Sequence, residues 1–243
     1  MNAERAPASK FSIDEYQSQV VANRREDHNG NWREVYPELL TGESLEFIGQ
    51  HGVALSRIMP KEFDEVIDHA AVAERDANLT PGMIEEMGDI LWFATSASSY
   101  EGVNLKEACE ETLRGYGVEN AIINEMADLD MAVMQNASKI NVLDEMGISF
   151  PELDDEDRFV SVQDDPFYLF LRSGRRLIRS IQQAKEDVSP STYIKEPVLE
   201  LPQAVGEFVC VLTYIANDRL GTSIGEITRR NIEKLQQRSI PAT

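Results

Sequence analysis

The run Thr80-Pro81-Gly82-Met83-Ile84-Glu85-Glu86-Met87-Gly88-Asp89-Ile90-Leu91-Trp92-Phe93-Ala94 places Ile84, Met87, Leu91 and Ala94 on one apolar helix face. Thr80 is suited to cap that helix and Pro81 to occupy its first turn, which predicts a helix from 80 to about Tyr100. Glu86 and Asp89, three residues apart, project from the same side just before the apolar Ile90-Leu91-Trp92-Phe93. Two acids at the edge of a buried helix need Lys or Arg, or a hard cation with oxygen ligands such as Mg²⁺.

Helical spacing of apolar residues extends outward from this run in both directions, and no stretch alternates with a period of two. The expected fold is all-α. Ser12 and Glu15 form a capping-box signal for a helix to about Asn23, and a second helix is expected from about Tyr36 to Ser56. A separate helix over about 60–75 would turn at Asn78-Leu79-Thr80 into the helix quoted above. Asn104 caps a helix to about Gly115, and Ile122, Met126, Leu129 and Val133 predict another over 118–140. Further helices are expected over about 166–185, 199–219 and 223–238. Residues 141–165, rich in Asp and Glu and punctuated by Gly147 and Pro151, form an acidic linker between a first unit, 1–140, and a second, 166–243.

The composition narrows the function. The 243 residues carry 43 Asp plus Glu against 23 Lys plus Arg, a net charge of −20, so a polyanion would be repelled and nucleic acid is not an expected partner. No apolar stretch is long enough for a bilayer and the N-terminus has no signal-peptide core, which makes a cytoplasmic protein without membrane contact the expectation. Cys109 and Cys210 are too few for a disulfide framework and read as buried apolar side chains. His28, His51 and His69 lack metal-ligand spacing, and no Gly-rich phosphate loop is present.

Candidate partners for Glu86 and Asp89 are two further pairs at the same spacing, Glu43 with Glu46 and Glu62 with Glu65. A helical hairpin turning at 78–80 would set Glu62 and Glu65 across from Glu86 and Asp89. The second unit also repeats the first faintly: Ala204-Val205-Gly206-Glu207-Phe208-Val209-Cys210-Val211 can be laid on Glu86–Phe93, with Ala204 in place of the first Glu. Arg172, Arg175, Arg176 and Arg179 concentrate positive charge there.

A Glu-x-x-Glu helix followed by Glu-Met-Gly-Asp-Ile-Leu-Trp-Phe resembles the MazG-like all-α nucleoside triphosphate pyrophosphohydrolase superfamily. Phe11–Gln17 is similar to the opening helix of such proteins, and Asn231-Ile232-Glu233-Lys234-Leu235 to their closing Asn-x-x-Lys-Leu segment. The sequence around Gly42-Glu43 suits the family, whereas the interval from Glu65 to Glu86 suits it better than that from Glu46. Both pairs therefore stand as partners.

The resemblance implies a MazG-like helical bundle of two degenerate tandem units forming a pseudo-dimer with one live site. It implies Mg²⁺-dependent, or Mn²⁺-dependent, hydrolysis of ribo- or deoxyribonucleoside triphosphates to the monophosphate and pyrophosphate. The implied metal ligands are Glu43, Glu46, Glu62, Glu65, Glu86 and Asp89, the catalytic carboxylates Glu86, Glu46 and Glu65, and the phosphate contacts Asn231, Lys234 and Arg175. Trp32, Trp92 and Phe93 are candidate stacking surfaces for a base. dUTP, dCTP or phosphoribosyl-ATP are substrates that the same metal chemistry would serve, and a homodimer is a possible assembly. The alternative is a noncatalytic MazG-like binding or regulatory module, favoured by the loss of carboxylates in the second unit.

Overall fold

The first helix, α1 (Ile13–Asn23), begins with a reciprocal capping box: the Ser12 N–H donates to Glu15 Oε2 and the Glu15 N–H to Ser12 Oγ, both at 3.0 Å. It is one of eight helices in a computed structural model that describes residues 11–23, 31–55, 69–137, 166–183 and 199–238. The others are α2 (Trp32–Leu55), α3 (His69–Tyr100), α4 (Leu105–Gly115), α5 (Met126–Gln135), α6 (Pro166–Gln183), α7 (Leu201–Asp218) and α8 (Ile224–Arg238). Among the described residues the only β-type pairing is an isolated antiparallel bridge between Ser12 and Glu125. The described residues form an all-α fold. No helix among the described residues is long and apolar enough to cross a membrane.

Two expectations are corrected. The break at Thr80-Pro81 does not occur, because α3 runs unbroken through Pro81, so there is no hairpin turn at 78–80. Pro81 has no N–H to give to the preceding turn, yet the helix continues on the packing of its C-terminal half. The helix expected over 118–140 starts only at Met126. Gly117 sits at φ +79, and a capping box joins Glu125 and Asp128 at the true start. The linker 141–165 and the helix expected over 60–75, up to residue 68, lie outside the described residues.

The antiparallel helices α2 and α3 form the first layer. Trp32 stacks on Tyr100 with ring centroids 5.4 Å apart, Tyr36 meets Phe93 edge-on at 6.0 Å, and Arg33 lies over the Trp32 ring while pairing with Glu101. Gln17 ties α1 to the α3–α4 turn: its Nε2 donates to the Val103 carbonyl at 2.7 Å, and its Oε1 accepts the Leu105 N–H at 2.9 Å. That bond satisfies one of the open donors at the start of α4, and Asn104 satisfies another by accepting from the Glu107 N–H.

At the centre lies α7, buried without interruption from Ala204 to Ala216. A helix apolar on all sides needs neighbours on all sides. Here α6, α4, α5 and α3 supply them. Rings of Phe47, Phe170 and Phe208 join α2, α6 and α7 at centroid distances of 5.1 and 5.7 Å. Each such fully buried large side chain contributes roughly 1.5–3 kcal/mol.

The connections cross over. The helix that follows α3, α4, packs on α7, and the helix that follows α7, α8, packs chiefly on α3. Both contacts pass over a glycine. A Cβ on Gly206 would meet Thr112 Oγ1 at 2.2 Å and the Ala108 carbonyl oxygen at 2.3 Å, and one on Gly88 would meet Asn231 Cβ and Nδ2 at 3.1 Å. Asp130 of α5 fastens the α7–α8 turn by accepting from Asn217 Nδ2 at 2.6 Å and from the Ile224 N–H at 2.9 Å. Cys109 and Cys210 are free and buried.

Candidate metal centre

On α2, the buried Leu40 and Phe47 anchor one face and leave Glu43 half-buried at its edge. On α3, Met87 and Ile90 are fully buried, and Glu86 and Asp89 sit half-buried beside them. Because α2 and α3 are antiparallel, Glu43 arrives opposite the Glu86–Asp89 turn. Ligand-capable atoms of Glu43, Glu86 and Asp89 all lie within 4.8 Å of one another.

From α8, Asn231 Nδ2 donates to Asp89 Oδ1 at 2.7 Å, and Lys234 Nζ donates to Asp89 Oδ2 at 2.6 Å and to Glu85 Oε1 at 2.9 Å. Asn231 and Lys234 are three residues apart, so one face of α8 delivers both. Gly88 lets the backbone of α3 come close enough for them to reach. Asn231 Oδ1 is buried and makes no hydrogen bond, leaving an open acceptor beside the acids.

The carboxylates disturb one another. Burial, then a hydrogen bond with Glu86 and the charges of Asp89, Glu86 and Glu46, raises Glu43 from 4.5 to about 7. Burial pulls the Lys234 ammonium down, but its bonds to Asp89 and Glu85 outweigh that and hold it above its ordinary value. Three clustered carboxylates are a fitting set of oxygen donors for a hard divalent cation.

A pH signature follows from the raised carboxyl. A group that binds its proton more tightly in the fold than in the unfolded chain stabilises the fold fully below about pH 4.5, and that contribution disappears as pH rises to about 7. Metal-free protein is therefore expected to lose melting temperature between those limits more steeply than Glu43→Gln, and millimolar Mg²⁺ or Mn²⁺ to restore it at pH 7.5. Parallel melting curves for the two proteins across that range would refute the coupling.

The other candidate residues lie as follows. Glu46 is exposed one turn beyond Glu43, where its charge is felt by Glu43. Glu62 and Glu65 lie outside the described residues, and the hairpin that would have set them across from Glu86 is absent, since α3 continues through 78–80. Arg175 is exposed on α6, and no contact joins it to the cluster. Its neighbour Arg176 instead grips Glu207, Nη1 to Oε1 at 2.7 Å and to Oε2 at 3.0 Å. Trp32 and Phe93 are engaged with Tyr100 and Tyr36, and Trp92 is buried, so these aromatics serve the core. Sequence reasoning missed Glu85, the second partner of Lys234; its place next to Glu86, turned toward solvent, was the available signal. Comparison with protein-family models, with curated proteins and with solved structures finds no match.

Proposed function

We propose that the protein hydrolyses nucleoside triphosphates, ribo- or deoxyribo-, to the monophosphate and pyrophosphate with Mg²⁺ or Mn²⁺, as its resemblance to MazG-like proteins implies. The observation that carries this reading is the convergence of Glu43, Glu86 and Asp89 from two helices, with the amide of Asn231 and the ammonium of Lys234 on Asp89. Polyphosphate chemistry needs such a set: acids for a hard cation and a fixed positive charge for the phosphate chain.

Glu43, Glu86 and Asp89 would hold the metal, which when bound supplies Lewis acidity toward the phosphates and a more acidic water. Asn231 orients Asp89 through its amide N–H. Lys234 stands one hydrogen bond from the acids and offers its charge to the leaving pyrophosphate. Glu46, exposed on the next turn of α2, takes the proton of the attacking water in this reading. The crossed packing of α4 and α8 supports a pseudo-dimer in which the second unit completes the site of the first in cis.

A noncatalytic module is the second reading, and the observation that favours it is that Lys234 already balances Asp89 within the chain. Release of pyrophosphate and orthophosphate from a panel of ribo- and deoxyribonucleoside triphosphates, with Mg²⁺ or Mn²⁺, separates the two. The expected result is pyrophosphate in step with monophosphate. Folded protein that releases neither from any member of the panel would sink the enzymatic reading.

A further inference from the structure

The two halves can be aligned through three registers, one for each pair of helices. On α3 and α7 the sequence match sets Gly88 on Gly206, Asp89 on Glu207 and Glu86 on Ala204. On α4 and α8 the caps match, since Asn104 accepts from the Glu107 N–H and Ser223 from the Glu226 N–H, each at 3.0 Å. That register sets Thr112 on Asn231, and these are the residues that meet Gly206 and Gly88 respectively. On α2 and α6 the buried positions coincide when Tyr36, Leu40 and Phe47 are laid on Leu169, Ser173 and Ser180. Glu43 then falls on Arg176, and the exposed Gly42 on the exposed Arg175.

Every acid of the candidate metal centre thus has a counterpart: Glu43 becomes Arg176, Glu86 becomes Ala204, and Asp89 becomes Glu207. In the first half three carboxylates crowd together. In the second a single carboxylate is gripped at both oxygens by one guanidinium, and each side chain of the pair is only 12% exposed. We propose that Arg176 is a resident cation that takes, at the counterpart position, the place a metal ion takes in the first half. Resting on the metal reading of Glu43, Glu86 and Asp89, this assigns the second half one permanent internal charge balance and no exchangeable ion. Each chain accordingly binds one metal equivalent, and Arg176 is withdrawn from any role in holding phosphate.

Titration with Mn²⁺, reading the free ion by electron paramagnetic resonance, tests the assignment. Wild type is expected to take up one equivalent and Glu86→Gln none. The double variant Arg176→Glu with Ala204→Glu rebuilds the acid set and is expected to take up two, falling to one when Glu86→Gln is added. A double variant that is folded by circular dichroism yet gains no equivalent over wild type would overturn the proposal. Wild type that binds none, beside a double variant that binds one, would refute the metal reading of the first half and leave the role of Arg176 standing.

Because extra buried acids threaten folding, melting of metal-free protein provides a second test. Arg176→Met is expected to melt well below wild type, because it strands Glu207, and Arg176→Met with Glu207→Leu to regain most of the loss. If Arg176→Met melts like wild type, Arg176 is no counter-ion and the proposal falls.

Discussion

Under the proposed hydrolysis, Glu86→Gln is expected to lower pyrophosphate release at least ~100-fold while leaving the metal-free protein as stable as wild type, or more so. The two effects have one cause. Glu86 is hydrogen-bonded to Glu43 and adds to the field that raises it, so the fold bears the mutual repulsion of the clustered acids. An amide keeps the shape and removes a charge, which relieves that repulsion and removes one proposed metal ligand together. Asp89→Asn should lose activity to the same degree without gaining stability, because Asp89 is held by Lys234 and Asn231 and its charge is balanced within the chain. Melting curves in chelator and steady-state assays on the same preparations would decide it. A Glu86→Gln protein that keeps its activity removes Glu86 from the centre.

Gly206→Ala should damage the fold more than any other single methyl group added to a described glycine. The new Cβ would sit 2.3 Å from the Ala108 carbonyl oxygen, a backbone atom that can yield only if α4 moves off α7. Overpacking of this kind costs roughly 3 kcal/mol, and the better helix propensity of Ala returns about 1 kcal/mol, for a net loss near 2 kcal/mol. In a chain of this length that is a fall of about 4–8 °C in melting temperature. Gly42→Ala is the matched control. It lies within α2 with nothing within 4 Å of the added methyl, so the propensity gain of up to about 1 kcal/mol should appear alone. Equal melting temperatures for the two variants would show that the α4–α7 crossing has slack.

Much of this was readable in advance where a local signal was enough. The starts of α1, α4 and α8 are marked by Ser12, Asn104 and Ser223, whose side chains bond the backbone three residues on. Pro81 misled because a proline in the first turn and a proline within a continuing helix leave the same local mark. Ile122 misled because its spacing suits a helix, whereas it is 70% exposed in a segment that Gly117 has already turned. In the site, Glu86 and Asp89 declare themselves by spacing on one helix. Their partner does not, since choosing between Glu43 and Glu62 or Glu65 requires knowing which helix lies antiparallel to α3. Nor does local sequence reveal that Arg176 meets Glu207, a contact made only when α6 and α7 pack.

Crossed packing of α4 and α8 also sets an order of events as the chain is made. Asp89 receives its amide and its ammonium from residues 142 and 145 positions later in the sequence. In a nascent chain α2 can already cover one side of α3, but until α8 docks Asp89 lacks both Asn231 and Lys234, and the side of α3 that α8 packs on stays open. Completion of the acid centre and completion of the fold are therefore one step, and a partly made chain cannot display a finished centre.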